Sequence, residues 1–144
     1  MNNMDKENRK QVLPISSFDK RLEPLCLNRF LLRTPPQANI YELLVSKVKI
    51  KDNTLRITVR CMVGRMNTRT EFIAYGKDFN NLDKTQRAIV IEDLDFVGDV
   101  IVKTVYKDCI FKRVDNELEY DYGNEEVKSY DIIFTYEEVE EIKM

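Results

Sequence analysis

Leu44-Val45-Ser46-Lys47-Val48-Lys49-Ile50-Lys51-Asp52-Asn53-Thr54-Leu55-Arg56-Ile57-Thr58-Val59-Arg60-Cys61-Met62-Val63 alternates apolar and basic residues on both sides of a short polar turn. Side chains of an extended strand point to its two faces in turn, so this pattern predicts a pair of strands. One face would carry Val48, Ile50, Leu55, Ile57, Val59, Cys61 and Val63. The other would carry Lys47, Lys49, Lys51, Arg56 and Arg60. Asp52 and Asn53 both tolerate the positive φ that a tight hairpin turn demands. The expectation is a half-buried sheet whose wet side is positive.

Outward from the hairpin, strands are predicted at about 41–50, 54–63 and 70–76, with Gly76 closing the third. Asp78–Arg87 is polar, contains Leu82 and suits one short helix. Ala88–Ile91, Val100–Val105, Cys109–Val114 and Tyr130–Tyr136 are β-branched or aromatic runs that read as further strands. Phe96–Asp99, Asp115-Asn116 and Tyr122–Asn124 read as turns. Residues 1–21 are polar and read as a disordered arm. Leu22–Leu32 is apolar enough for a short helix or an added strand, and Pro35-Pro36 ends it. The expected fold is mainly β: a small antiparallel barrel with one or two short helices. Its parts are a flexible arm and partner-docking segment (1–38), the barrel domain (39–136) and an acidic end (137–144), helical or irregular.

The 144 residues fit one domain with a real core. No apolar run approaches the roughly 18 residues of a membrane span, and no apolar run follows the N-terminal charges. An intracellular protein, nuclear or cytoplasmic, with no membrane partner is expected. Cys26, Cys61 and Cys109 are odd in number and flanked by apolar residues, which suits buried thiols in a reducing compartment. The chain has no histidine, so the commonest general base and zinc ligand are missing. Neither a Cys-x-x-Cys pair nor a glycine-rich phosphate loop is present. Glu92, Asp93, Asp95 and Asp99 could in principle hold Mg²⁺, although turns and strand edges collect such residues anyway. The expectation is a protein that is not an enzyme and takes no cofactor and no metal. Lys6-Glu7-Asn8 resembles a KEN degradation box and Thr34-Pro35 a proline-directed phosphorylation site, strings that often arise by chance.

The formal charge of −2 hides an asymmetry. From Asp115 onward eleven acids face only Lys128 and Lys143, a net of −9, which leaves +7 for residues 1–114. Such polarity points to an anionic partner and an acidic tail. Arg65 and Arg69 extend the basic row of the hairpin through the following loop. Three readings stay open: a groove that tracks phosphates, a solvated face that discourages aggregation of an edge strand, or a face paired with the chain's own acidic end. Like charges placed opposite one another disfavour a hairpin, so some reason for them is expected. Tyr75 and Tyr106 are the better candidates for stacking bases, whereas Phe72, Phe96 and Phe111 read as core.

The order of hairpin, third strand ending in Tyr75-Gly76, polar helix, strand Ala88–Ile91 and second hairpin resembles the OB-fold of single-stranded nucleic-acid-binding proteins over about residues 40–113. That resemblance implies a ligand lying across Leu55–Val63 and Thr70–Gly76. The leading expectation is therefore a non-catalytic protein that binds single-stranded nucleic acid, DNA in preference to RNA, as a small subunit of a larger complex. Lys47, Lys49, Arg56, Arg60, Arg65 and Arg69 would contact phosphates, and Tyr75 and Tyr106 would stack bases. Leu25, Leu27, Phe30 and Leu31 would dock protein partners, and the acidic end would compete for the basic face. The alternative is a protein–protein adaptor or scaffold subunit that binds no nucleic acid.

Overall fold

The computed structural model describes residues 22–116 and 118–144. The disordered arm expected at 1–21, and Lys6-Glu7-Asn8 within it, lie outside the described residues.

The strands are β1 (Phe30–Arg33), β2 (Val45–Lys51), β3 (Thr54–Arg60), β4 (Ile89–Leu94), β5 (Val100–Lys107), β6 (Ile110–Asp115), β7 (Ser129–Thr135) and β8 (Glu138–Lys143). Among the described residues there is one α-helix, α1, spanning Arg69–Asn80. The strands form two four-stranded antiparallel sheets, in the orders β1-β4-β5-β8 and β2-β3-β7-β6. The mainly β expectation holds, but the sheets face each other as a sandwich and do not close into a barrel. The pairings β1–β4 and β3–β7 join segments far apart in sequence, which local pattern does not reveal.

The hairpin forms with the expected alternation, although Ile50 and Val63, expected on the inward face, are exposed, Val63 lying beyond the end of β3. Lys49 lies opposite Arg56 and Val48 opposite Ile57, and Asp52 takes φ 56° at the turn. Tyr136 pins that turn, its hydroxyl donating to the Asp52 carbonyl at 2.7 Å. The aliphatic side packs inward: Leu55, Ile57 and Val59 join Tyr130, Ile132 and Phe134 of β7 against Leu32, Ile89, Ile91 and Tyr106 of the other sheet. At about 25 cal/mol per Å² of apolar surface removed from water, this shared interior dominates the stability of the fold.

Residues 70–76, expected as a third strand, are helical. Thr68 caps the helix by accepting from the Glu71 N–H, while the Glu71 carboxylate accepts from the Thr68 N–H at 2.8 Å. This reciprocal pair satisfies two backbone donors that a helix start otherwise leaves bare. Phe72, Gly76 and Phe79 fall on one face and are buried. Phe72 meets Tyr130 and Phe79 meets Phe134 edge-on, at centroid distances of 6.0 and 5.1 Å. The helix also covers the free edge of β6. Arg69 donates to the Val114 carbonyl at 3.2 Å. The Asn80 amide both donates to the Phe111 carbonyl and accepts from the Phe111 N–H. Only a short 3-10 turn, Lys84–Gln86, forms within the helix expected at 78–87 beyond the end of α1.

Glu137–Met144, expected to be an acidic end apart from the domain, supplies strand β8. It pairs with β5, and Glu140 receives Lys107 Nζ at 2.7 Å. It therefore lies in the sheet that does not contain the basic hairpin, and the expected competition for that hairpin's face is not present here. In Leu22–Leu32, the strand option is realised from Phe30 onward.

Candidate functional site

The outward face of the β2-β3-β7-β6 sheet is set by the same period of two that buries its other face. Lys47, Lys49 and Lys51 stand on the edge strand β2, exposed to solvent. One strand inward the charge is already balanced. Arg56 donates from Nη1 to Asp131 Oδ2 at 2.9 Å and from Nη2 to Asp115 Oδ2 at 3.2 Å. Asp131 also accepts from the Thr58 hydroxyl at 2.7 Å. Arg113 reaches Asp115 at 2.9 Å. Ile133 lies between Arg56 and Arg113 in the register and is buried although it points outward. That position puts the aliphatic stems of both arginines beside it.

The structure thus distributes the expected phosphate contacts instead of lining them up. Lys47, Lys49 and Arg60 are exposed, and Arg56 is held by two carboxylates. Arg65 stacks over the Tyr41 ring at 3.9 Å. Arg69 is occupied by the β6 backbone. The two tyrosines are differently enclosed. Tyr75 is half-buried on α1 against the core. Tyr106 is only 6% exposed and meets Tyr136 edge-on at 4.8 Å. Burial pushes the Tyr106 hydroxyl up to about 12. A continuous cationic groove with stacking platforms, as a single strand of nucleic acid requires, is therefore not formed by these residues. Of the expected partner-docking residues, Leu25 and Leu27 are exposed, while Phe30 and Leu31 are half-buried in β1.

The acids weighed for Mg²⁺ have structural roles. Glu92 accepts from Arg33 at 3.3 Å and lies 3.7 Å from Lys103. Asp95 Oδ1 accepts from the backbone N–H of Val97 and Asp99, which shapes the β4–β5 turn. Burial raises Asp93, and the nearby Glu141 adds to the shift. Among the described residues no group of three metal-ligating side chains is found, and no helix is long and apolar enough to cross a membrane. Cys109 is fully buried, and burial pushes its thiol up to about 12.

Reasoning from the sequence missed one surface, at the end of the sheet where β3 leaves and β7 enters. There the β6–β7 loop presents Leu118, Tyr120, Tyr122 and Val127 to solvent, next to the exposed Met62, Val63 and Met66 of the β3–α1 loop. Hydrogen bonding to the Tyr120 and then the Tyr130 hydroxyl raises Lys128 above its ordinary value. Its Nζ lies 5.8 and 5.6 Å from the centroids of those rings. The signal was available as Leu118-Glu119-Tyr120-Asp121-Tyr122, where aromatics alternate with acids between the two stretches read as turns.

No protein-family model matches the chain, and no curated protein matches it significantly. The fold is similar to a chain in the structure of the anti-feeding prophage cap, the AFP tube-terminating cap. That chain is 13% identical over 92% of this chain and 100% of its own length, with a TM-score of 0.61. It is also similar to a chain of the sheath–tube complex of the extracellular contractile injection system PVC (11% identical, 84% and 93% covered, TM-score 0.58). A chain of the PVC sheath/tube terminator is 10% identical over 83% and 96%, again with a TM-score of 0.58. The likeness is one of fold, and it spans 83–92% of this chain and 93–100% of the others.

Proposed function

We propose that this chain is a non-catalytic structural subunit that acts through protein–protein contacts in a larger assembly, of the tube-and-cap kind whose components share its fold. The observation that carries this reading is the extent of the likeness: 92% of this chain matches 100% of the cap chain. The surface agrees. Its large exposed apolar residues, including Leu25, Leu27, Tyr120 and Tyr122, suit docking to protein, since exposed apolar clusters mark such contacts. The internal balancing of Arg56 and the enclosure of Tyr106 favour this adaptor or scaffold role over the nucleic-acid one.

Negative-stain electron microscopy of the concentrated full-length protein tests the reading. Discrete multimers of regular outline are expected, together with no mobility shift of a labelled single-stranded oligonucleotide. Isolated monomers that shift the oligonucleotide would overturn it.

A further inference from the structure

We propose that the β6–β7 loop, residues 118–127, docks on the lysine-bearing β2 edge of a second copy of this chain. The inference rests on the subunit reading above and assigns it a contact surface.

The loop is built to present side chains. Asp121 accepts from the Gly123 N–H through its carboxylate and from the Asn124 N–H through its carbonyl, both at 2.9 Å. Asn124 accepts from the Glu126 N–H at 2.9 Å. These bonds hold a tight turn with Tyr122 near its tip, fully exposed, and Tyr120 80% exposed beside it. Tyrosines held in one shape lose little entropy on docking and are enriched among residues that dominate interfaces. Around them stand Glu119, Asp121, Glu125 and Glu126, all exposed.

The complementary surface is on the same chain, with its lysines displaced from the loop along the sheet and only Arg60 close to the loop's base. Lys47, Lys49, Lys51 and Arg60 are exposed, and among the described residues none of them makes an ion pair. They lie on or beside β2, which is hydrogen-bonded only to β3 and leaves its other edge open. The loop begins and ends beside Ser129, opposite Arg60. Lys49 is opposite Arg56, four residues back along β3, a separation of about 13 Å at 3.3 Å per residue. Four acids on one surface and four bases on the other, displaced along one sheet, pair between molecules in a head-to-tail sense. Such a contact, joining two different patches, propagates into a closed ring or an open filament.

Sedimentation equilibrium on the full-length protein tests this with three folded variants, each checked by circular dichroism: Tyr120→Ser/Tyr122→Ser, Lys47→Glu/Lys49→Glu/Lys51→Glu, and Glu119→Lys/Asp121→Lys/Glu125→Lys/Glu126→Lys. Each is expected to weaken self-association by at least about tenfold, as loss of hot-spot or paired charges does. Raising salt from about 50 to 500 mM should weaken the wild type in the same direction. Mixing the two charge-reversed proteins should restore assembly, because each then carries the partner of the other's altered face. Wild-type assembly that none of the variants weakens would overturn this contact and leave the subunit reading on another surface. Failure of the mixed proteins to associate would overturn it as well. A wild type that is monomeric at every concentration would overturn the contact and the subunit reading together.

Discussion

Arg56 and Asp131 meet at 2.9 Å across the β3–β7 pair, and Asp131 at the same time receives the Thr58 hydroxyl at 2.7 Å. The contact ties the basic hairpin to the acidic half of the chain. A charge asymmetry that looks like an invitation to an external anion is, at this position, satisfied within the sheet. What remains for a partner is the row of lysines on the open edge, one strand further out.

Removing Asp131 therefore strips two hydrogen bonds from one site. Asp131→Ala is expected to lower stability by about 1–2 kcal/mol in urea denaturation, the sum of a half-exposed ion pair and a hydroxyl bond. Arg56→Ala should cost less in the Asp131→Ala background than in the wild type. Strict additivity of the two would contradict the pairing.

Helix α1 depends on its capping box. Thr68→Ala is expected to cost about 1 kcal/mol, or a fall in midpoint temperature of about 3 °C for a domain of this size. An unchanged thermal midpoint would show that the cap contributes nothing.

Gly76 packs its bare Cα against the Phe111 ring, and a Cβ placed there would collide with the ring atoms. Alanine is the better helix former by about 1 kcal/mol, yet overpacking costs typically 1–3 kcal/mol. Gly76→Ala should thus destabilise, and its cost should shrink when Phe111→Leu makes room. A stabilised Gly76→Ala protein would contradict the close approach.

Two carboxylates give stability opposite dependences on pH. The Arg113 guanidinium, with Arg56 behind it, holds Asp115 below the usual carboxylate value. Its contribution is present above the unfolded value of about 4 and is lost as pH falls through the lower folded value. Asp93 is raised by burial and by Glu141. It contributes below about 4 and loses that contribution as pH rises through its raised folded value. Asp115→Asn should flatten the acid limb of a stability–pH profile, whereas Asp93→Asn should leave the protein as stable or more stable at neutral pH. A loss of stability in Asp93→Asn at pH 7 would contradict this assignment.

The hairpin was legible because its alternation is long and one face must be dry; β3 falls inside the expected 54–63, and β2 starts four residues later and ends one residue later than the expected 41–50. The helix was misread because Thr70-Glu71-Phe72-Ile73-Ala74-Tyr75 is a short run rich in β-branched and aromatic residues. Thr68-x-x-Glu71, followed by Phe72, Gly76 and Phe79 at helical spacing, carried the opposite message. Strand β8 ran against propensity: four glutamates around Glu138–Glu141 are poor strand formers, and Lys107 on β5 supplies the missing reason. The charges of the basic row were visible in the sequence, but their partners Asp115 and Asp131 lie 59 and 75 residues away from Arg56. Only the fold brings those carboxylates to it.

Light scattering on the purified full-length chain, from low to high concentration in low salt, bears most directly on the claim that this is a subunit made to assemble. The account predicts a mass that climbs from 17.1 kDa to a multiple of it as concentration rises. A mass fixed at 17.1 kDa throughout would contradict it.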